Sequence, residues 1–419
     1  MKIKIKRIDF NTLQNLKKPK HKRPLNPMWL LGALIRIISI PELLSVKFEY
    51  TKERMEKAKG PCLILMNHSS FIDMKIAFKI FFPKRFSIVC TTDAYVGKSL
   101  LMRLLGTIPT NKFVTDVTLI SDILHSLKKN KTSVLMYPEA GYSFDGCSTA
   151  LPPKLGVLIK KLGVPVVTVI TDGAFLRDPL YNGLQKRKVK VTAHAKCLLT
   201  PEEIKLKTAE EITALINKDF SFDGFKNQFE NKTEIKEKFR TDGLERILYR
   251  CPNCNTEDQM VGLGTTLSCK NCGKSYELNT LGKLVSNNGE TEFPHIPDWY
   301  AWERECVKGE IESGNYSLKC DVEIGVLCDH KALYMIGDGV LTHSTDGFHL
   351  IGCDGKLDYT HDALSSYSLN SDYFWYEIGD VICIGDRKIL YYCFPKGKTN
   401  VTKARLATEE IYKLKKSKG

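Results

Sequence analysis

The feature that most constrains the fold of this chain is an apolar run that leads directly into a polar turn and then into an amphipathic segment. Residues 62–66 are apolar, residues 67–73 read Asn-His-Ser-Ser-Phe-Ile-Asp, and residues 74–80 carry apolar side chains at helical spacing. This succession predicts a strand, a turn and a helix. His68 and Asp73 are too far apart to share one face of a helix. With His68 in the turn and Asp73 in the first helical turn, however, the carboxylate can reach Nδ1 of the imidazole.

This His–Asp spacing has two interpretations. In the catalytic one, the bond to Asp73 fixes the imidazole tautomer and leaves Nε2 free to accept a proton from a substrate hydroxyl. In the structural one, Ser70 is the N-cap of the helix, Asp73 is its acidic N3 residue, and His68 is an ordinary loop histidine. On these seven residues alone the structural interpretation is the stronger. The blocks that follow along the chain reverse that order.

Three further blocks follow the first. They are residues 106–112 (Gly-Thr-Ile-Pro-Thr-Asn-Lys), residues 137–143 (Tyr-Pro-Glu-Ala-Gly-Tyr-Ser) and residues 163–169 (Gly-Val-Pro-Val-Val-Thr-Val), a β-branched strand entered through a proline. With residues 67–73, their order and spacing resemble the glycerolipid acyltransferases, in particular the 1-acylglycerol-3-phosphate (lysophosphatidic acid) acyltransferases. The resemblance implies transfer of a fatty acyl chain, in phospholipid biosynthesis, from a thioester of coenzyme A or acyl carrier protein to the free hydroxyl of a lysophospholipid.

The resemblance assigns a role to particular side chains. His68 is the general base and Asp73 the acid that orients it, and the bound acceptor attacks the thioester directly. An unperturbed imidazole, with a pKa of about 6.5, is largely neutral at working pH. Four further residues are expected to bind the acceptor: Asn111, Lys112, Glu139 and Gly141. The structural alternatives are a solvated lysine for Lys112, a surface loop acid for Glu139 and a turn glycine for Gly141.

Two departures from the family pattern concern the acceptor. Lys112 stands where the family usually has arginine, and residues 140–142 (Ala-Gly-Tyr) stand where the third block usually reads Gly-Thr-Arg. Lysine offers a point charge without a bidentate fork, and Tyr142 offers an uncharged hydroxyl. A phosphate would then be held partly by other cations, such as Arg177 or Lys186. A different lysolipid or a lipid-linked alcohol is therefore the alternative acceptor.

The N-terminal segment predicts membrane association. The chain has a formal net charge of +14, which suits an anionic partner. Residues 1–23 contain nine Lys or Arg and one acid, and the apolar stretch 28–40 follows with Arg36 inside it. A spanning helix needs about 20 apolar residues. The stretch therefore predicts an interfacial helix or hairpin, with membrane lipids as partners of a peripheral or monotopic protein on the cytoplasmic face. A buried core helix is the alternative.

Four cysteines predict a metal site in the second half of the chain. Cys251, Cys254, Cys269 and Cys272 have the spacing C-x2-C-x14-C-x2-C of a zinc ribbon. Four thiolates leave no open coordination position, so a structural Zn²⁺ is expected in preference to a redox dithiol pair. The insert 255–268 has no aromatic or basic residue, which argues against a nucleic-acid surface. A non-catalytic adaptor built on this ribbon is the third functional hypothesis.

The alternation of strand-like and helical runs predicts an α/β layered acyltransferase domain with a mixed sheet. The predicted strands are 62–66, 85–91, 133–137, 164–171 and 188–198, and the predicted helices are 70–80, 97–105, 116–128, 153–162 and 201–218. Residues 188–193 alternate with period two, which indicates an edge strand. Short strands over 316–394 and a helix over 401–416 have an element order that resembles the pleckstrin-homology topology. The predicted organisation is a membrane-associating segment (1–45), the acyltransferase domain (46–245), a zinc ribbon (246–280), a helical linker (281–314) and a β-rich domain (315–419).

Overall fold

The computed structural model describes residues 2–17, 19–114 and 116–418. Four residues of the predicted domains lie outside the described residues: Met1 and Lys18 of segment 1–45, Thr115 of domain 46–245 and Gly419 of domain 315–419. Up to residue 230 the helices and strands are β1 (Ile5–Arg7), α1 (Phe10–Gln14), α2 (Trp29–Ser45), β2 (Glu49–Glu53), β3 (Leu63–Met66), α3 (Asp73–Phe81), β4 (Phe86–Thr91), α4 (Ser99–Leu104), β5 (Thr107–Thr110), α5 (Val117–Lys128), β6 (Ser133–Met136), α6 (Leu155–Leu162), β7 (Val166–Asp172), α7 (Ala174–Arg177), β8 (Thr192–Leu199), α8 (Pro201–Leu206), α9 (Ala209–Asp219) and α10 (Gly224–Glu230).

After residue 230 the elements are β9 (Met260–Leu263), β10 (Thr266–Cys269), β11 (Ser275–Leu278), β12 (Leu284–Ser286), α11 (Ile296–Glu312), β13 (Leu318–Val326), β14 (Leu333–Ser344), β15 (Gly347–Gly352), β16 (Leu357–Asp362), β17 (Asn370–Trp375), β18 (Gly379–Gly385), β19 (Leu390–Pro395) and α12 (Val401–Lys418).

The first half of the chain is built on a seven-stranded mixed sheet in the order β2-β8-β7-β3-β6-β4-β5. Its neighbouring strands are parallel except for β7 and β8. The central strand β3 is buried on both faces. Leu63 and Leu65 share a core cluster with α5, α6 and α9, whereas Ile64 and Met66 share one with α2 and α3. The predicted α/β layered fold with a mixed sheet is confirmed.

Three features of this sheet differ from the sequence prediction. The prediction of an edge strand at residues 188–193 is wrong, because β2 pairs with β8 and forms the edge. β5 was not predicted, since Pro109 weakens its strand pattern; the sheet tolerates this proline because β5 lies at the opposite edge. The predicted helix 201–218 is two helices, and each begins at a threonine capping box, at Thr200 and at Thr208.

Two antiparallel sheets follow. The ribbon sheet has the order β12-β11-β10-β9, so one of its strands comes from the predicted linker. The C-terminal sheet has the order β16-β15-β14-β13-β19-β18-β17, and α12 follows its last strand. The element order is as expected: β13 to β16 form a four-strand meander, β17 to β19 form a three-strand meander, and α12 follows. Strand β1 pairs in parallel with β14, so residues 5–7 of the predicted membrane segment pair with this sheet.

The three regions share packed surfaces. One hydrophobic cluster contains Phe144 and Phe175 from the first half, Tyr249 and Trp299 around the ribbon, and Tyr373 from the C-terminal sheet. The ribbon and the C-terminal sheet are therefore packed against the first half of the chain. Helix α2 lies at the surface. Over residues 2–17, 19–114 and 116–418, no helix combines the length and hydrophobicity needed to cross a membrane.

Candidate active site

The parallel topology gathers the predicted site residues at one edge of the first sheet. His68 follows β3, Asn111 and Lys112 follow β5, and Glu139 follows β6. The carboxyl ends of parallel strands meet at the same edge, which is where open α/β sheets bind their ligands. Asn67 fixes the start of the site. Its buried side-chain amide donates to the Thr171 carbonyl at 3.1 Å and its oxygen accepts from the Thr171 amide at 2.8 Å, at the end of β7.

His68 and Asp73 are in contact, as the catalytic interpretation requires. His68 Nδ1 lies 3.1 Å from Asp73 Oδ2. The same oxygen accepts from the backbone amides of Ser69 at 2.8 Å and Ser70 at 3.0 Å. Asp73 is fully buried and is the first residue of α3. The capping pattern with Ser70 as N-cap is wrong, because the N-cap residue is Ile72 and the Ser70 hydroxyl donates to Asp178.

The imidazole of His68 lies between two tyrosine rings. The ring centroids of Tyr137 and Tyr142 are each 4.1 Å from that of His68, and both pairs are stacked. Burial lowers the pKa of His68, and the hydrogen bond and charge of Asp73 oppose that lowering. The ring is therefore neutral at physiological pH, with its proton assigned to the nitrogen that faces Asp73. Among the described residues no protein group hydrogen-bonds to Nε2, and the side chain keeps 20% exposure.

The third block also holds the backbone of His68. The His68 amide donates to Glu139 Oε2 at 2.8 Å, and the His68 carbonyl accepts from the Ser143 amide at 3.3 Å. Glu139 accepts a further bond from the Thr149 amide, at 2.9 Å, through its other oxygen. The carboxyl group is fully buried, and burial raises its pKa to about 7. Glu139 is thus directed into the protein, where it joins the loop after β3, through His68, to the loop after β6, through Thr149. The alternative of a surface loop acid is wrong.

The other predicted acceptor residues differ in how they are placed. The Asn111 side chain accepts from the Thr92 hydroxyl at 2.9 Å. After the larger effects of burial and of Asp73, the charge of Lys112 also lowers the pKa of His68. A Cβ added to Gly141 would meet no atom within 4 Å, which leaves space beside it. The alternative of a turn glycine fails, because Ala140 has the positive φ, of 54°, in this turn.

The C-terminal sheet contributes residues that the sequence did not indicate. Burial raises the pKa of Asp372, on β17, to about 6, and the positive charge of Lys112 opposes this shift. The charge of Asp372 in turn contributes to raising the pKa of Tyr142, after the larger effects of burial and Asp73. The Tyr376 hydroxyl donates to Asp93, which follows β4, at 2.8 Å. No local pattern marks these residues, since the partners are at least 230 positions apart.

A group of cations is connected to the first block, residues 67–73, through Asp178. Arg177, Lys75 and Lys186 all donate to Glu42 of α2, with Lys186 Nζ 3.0 Å from the carboxylate. Arg177 Nη1 is also 2.8 Å from Asp178, which accepts from the Ser70 hydroxyl. The two cations that the sequence suggested as additional phosphate ligands are thus together, and a carboxylate of the protein holds them.

The four cysteines of the ribbon form a compact set. Their sulfur atoms lie within 4.8 Å of one another, and the Cys251–Cys272 and Cys254–Cys269 separations are both 3.7 Å. Tetrahedral Zn²⁺ with Zn–S bonds of about 2.3 Å requires sulfur separations of about 3.8 Å. The side-chain amides of Asn253 and Asn271 donate to Cys272 and Cys254, at 3.4 and 3.6 Å, and would stabilise thiolates. The four sulfur ligands fit structural Zn²⁺, which would hold the Cys251–Cys254 turn and the Cys269–Cys272 turn together.

Comparison with known proteins identifies the class of the first half. Residues 47–172 match the family model described as Acyltransferase. No curated protein matches the chain significantly. Among solved structures, the chain is similar to the 1-acyl-sn-glycerophosphate (LPA) acyltransferase PlsC from Thermotoga maritima, with 17% identity, a TM-score of 0.35, and coverage of 45% of this chain and 78% of that chain.

The match over residues 47–172 defines an acyltransferase domain. The matched residues include the blocks at His68, Lys112 and Glu139, so the predicted resemblance to acyltransferases is confirmed over this part of the chain.

Proposed function

We propose that this protein transfers a fatty acyl chain from a thioester of coenzyme A or acyl carrier protein to the free hydroxyl of a lysophospholipid, with 1-acylglycerol-3-phosphate as the first candidate. The observation that carries the proposal is the His68–Asp73 pair within an acyltransferase domain, with Nε2 unpaired among the described residues. This is the arrangement that a general base for a hydroxyl needs.

In the proposed reaction, the acceptor oxygen bonds to the carbonyl carbon of the thioester while its proton passes to Nε2 of His68. The C–S bond then breaks, and the imidazolium returns the proton to the departing thiolate, which leaves an ester and a free thiol. Asp73 stabilises the imidazolium while it exists, because its carboxylate is 3.1 Å from Nδ1. Tyr137 and Tyr142 keep water away from both faces of the ring.

The acceptor is proposed from the charges around the site. Lys112 supports an anionic group close to His68. Arg177 and Lys186 support a phosphate only if it displaces Glu42, which holds both cations. Asp372 adds a negative charge near Lys112 and favours the alternative, an acceptor whose head group also carries an amine or no charge. A panel of lysophosphatidic acid, lysophosphatidylethanolamine and lysophosphatidylglycerol separates these acceptors.

We further propose that α2 places the protein on the cytoplasmic face of a membrane, as a peripheral or monotopic protein. Five apolar side chains of this helix expose half or more of their surface: Leu30, Leu34, Ile37, Ile38 and Leu44. An exposed apolar patch of this kind is typical of an interfacial helix. Ten of the fourteen cysteines lie outside the ribbon and have no disulfide-framework spacing, which supports a reducing compartment.

The decisive experiment incubates the purified protein with labelled acyl-coenzyme A or acyl carrier protein and the lysolipid panel. The His68→Ala variant is expected to lose nearly all turnover while it keeps its fold. A matched control is His349→Ala, which breaks an exposed His–Asp pair whose Nε2–Oδ1 distance to Asp358 is 2.7 Å. Undiminished turnover in His68→Ala would refute the mechanism. Wild-type protein that acylates no acceptor in the panel would favour the non-catalytic adaptor.

A further inference from the structure

The C-terminal helix makes direct contact with the third block of the acyltransferase site. Arg405 of α12 donates from Nη1 to the Tyr142 carbonyl at 3.2 Å. Its guanidinium carbon lies 4.4 Å from the centroid of the Phe144 ring. The Arg405 side chain is 5% exposed, so both contacts are made inside the protein. One arginine therefore joins the last helix of the chain to two residues, Tyr142 and Phe144, of the loop between β6 and α6.

The third block has no helix or strand of its own between β6 and α6, so its shape depends on such contacts. It holds His68 through Glu139 and Ser143, which bind the backbone amide and carbonyl, and through the rings of Tyr137 and Tyr142. A shift of this loop would therefore change both the position and the hydration of the imidazole.

We propose that Arg405 is a positioning residue for acyl transfer, which keeps the third block in place so that Tyr142 stays stacked on His68. The inference rests on the proposed function of His68 and gives the C-terminal region a role in it: α12 completes the site from outside the acyltransferase domain. Arg405 has no contact with His68 itself among the described residues, and acts through Tyr142.

The surroundings of Arg405 explain why an arginine is suited to this position. Its Nε lies 3.5 Å from Glu409, which also pairs with Arg304 at 2.7 Å and accepts from the Ser368 hydroxyl at 2.7 Å. Burial would raise the pKa of Glu409, but the charges of the two arginines outweigh it, and the carboxylate stays ionised. A planar guanidinium can serve this carboxylate and the Tyr142 carbonyl at the same time, whereas an ammonium offers a single point charge.

The test compares variants of one buried and one partly buried cation on the same helix. Arg405→Met removes the contact with Tyr142. Lys403→Met removes ion pairs of 2.8 Å from Lys403 Nζ to Glu257 and Glu310, which face the ribbon side, and is the matched control. The pKa of His68 is measured by NMR titration of labelled histidine, with the signal assigned by its absence in His68→Ala. Turnover is measured per folded molecule at the same time.

Arg405→Met is expected to hydrate the imidazole, so that the pKa of His68 rises towards 6.5 and the acid limb of the kcat/KM profile moves to higher pH. A displacement of the site by about 1 Å costs about 100-fold in kcat. Arg405→Lys keeps the charge beside Glu409, so its His68 pKa and its kcat should lie between those of Arg405→Met and the wild type. This variant also keeps the test possible if Arg405→Met does not fold. Lys403→Met should leave the His68 pKa unchanged.

An unchanged His68 pKa and turnover in the Arg405 variants would overturn the proposal. So would an equal pKa shift in Lys403→Met, because the effect would then follow from general loosening of α12. If the pKa shift appears but the wild-type protein acylates none of the lysolipids, the positioning role stands and the proposed function fails.

Discussion

Replacing Asp73 by asparagine is the sharpest perturbation of the proposed proton relay. Asp73 Oδ2 accepts from His68 Nδ1 and from the amides of Ser69 and Ser70. The carbonyl oxygen of asparagine can occupy the same position and keep these bonds, so the fold and the imidazole tautomer are expected to survive. The variant loses the negative charge that stabilises the imidazolium during transfer.

The size of this loss follows from the distance. With Nδ1 and Oδ2 at 3.1 Å, the two charge centres are about 4 Å apart, and their attraction is about 4 kcal/mol at an effective dielectric constant of about 20. Since about 1.4 kcal/mol corresponds to a factor of ten in rate, kcat should fall by about a thousandfold. Because Asp73 opposes the lowering of the His68 pKa by burial, its neutralisation should lower that pKa further.

The assay is steady-state acyl transfer across a pH series, with circular dichroism and thermal unfolding to verify the fold. The acid limb of the kcat/KM profile should move to lower pH, opposite in direction to the shift expected for Arg405→Met. Asp358→Asn, which neutralises the exposed partner of His349, serves as the control and should leave kcat unchanged. A decrease in kcat of less than tenfold, or an acid limb that moves to higher pH, would refute the relay.

Three other outcomes are expected. Burial in the folded state raises the pKa of Glu139 from 4.5 to about 7. The free energy of unfolding should therefore decrease by about 3 kcal/mol as pH rises through that range. Urea unfolding of Glu139→Gln should lack that part of the pH dependence. Chelation of the ribbon metal should increase proteolysis over residues 246–286, and metal-independent proteolysis would exclude structural Zn²⁺. Ile37→Glu should weaken binding to anionic vesicles by about tenfold or more, because each large apolar side chain contributes about 2 kcal/mol. The control Leu206→Glu, which changes an 87% exposed leucine outside α2, should leave vesicle binding unchanged.

The sequence predicts the central elements of the first sheet because their signal is local. β3, β4, β6 and β7 are apolar runs bounded by turns, and the structure has them within two residues of the predicted limits. β2 carries the polar sequence Glu-Tyr-Thr-Lys-Glu, and such an edge strand gives no apolar pattern. α2 continues to Ser45 with Pro41 inside it, beyond the apolar stretch that ends at residue 40.

Within the candidate site, the sequence predicts the His68–Asp73 contact because both residues belong to one strand-turn-helix unit. It does not reveal that Glu139 points inward, since the direction of a loop carboxylate depends on where the amides of His68 and Thr149 lie. The catalytic and acceptor-binding roles of these residues stay predictions that the experiments above address.

By itself the sequence determined the acyltransferase blocks, the four-cysteine spacing and the central strands of the first sheet, because each is encoded by residues close together along the chain. Only the tertiary structure decided that Tyr137 and Tyr142 enclose His68, that the charges of Asp372 and Lys112 interact and that Arg405 holds Tyr142. Arg405 and Tyr142 are 263 residues apart, and a contact over that separation leaves no periodicity or spacing in the sequence. Such contacts form only when burial of one continuous hydrophobic cluster brings the C-terminal sheet and helix against the acyltransferase domain.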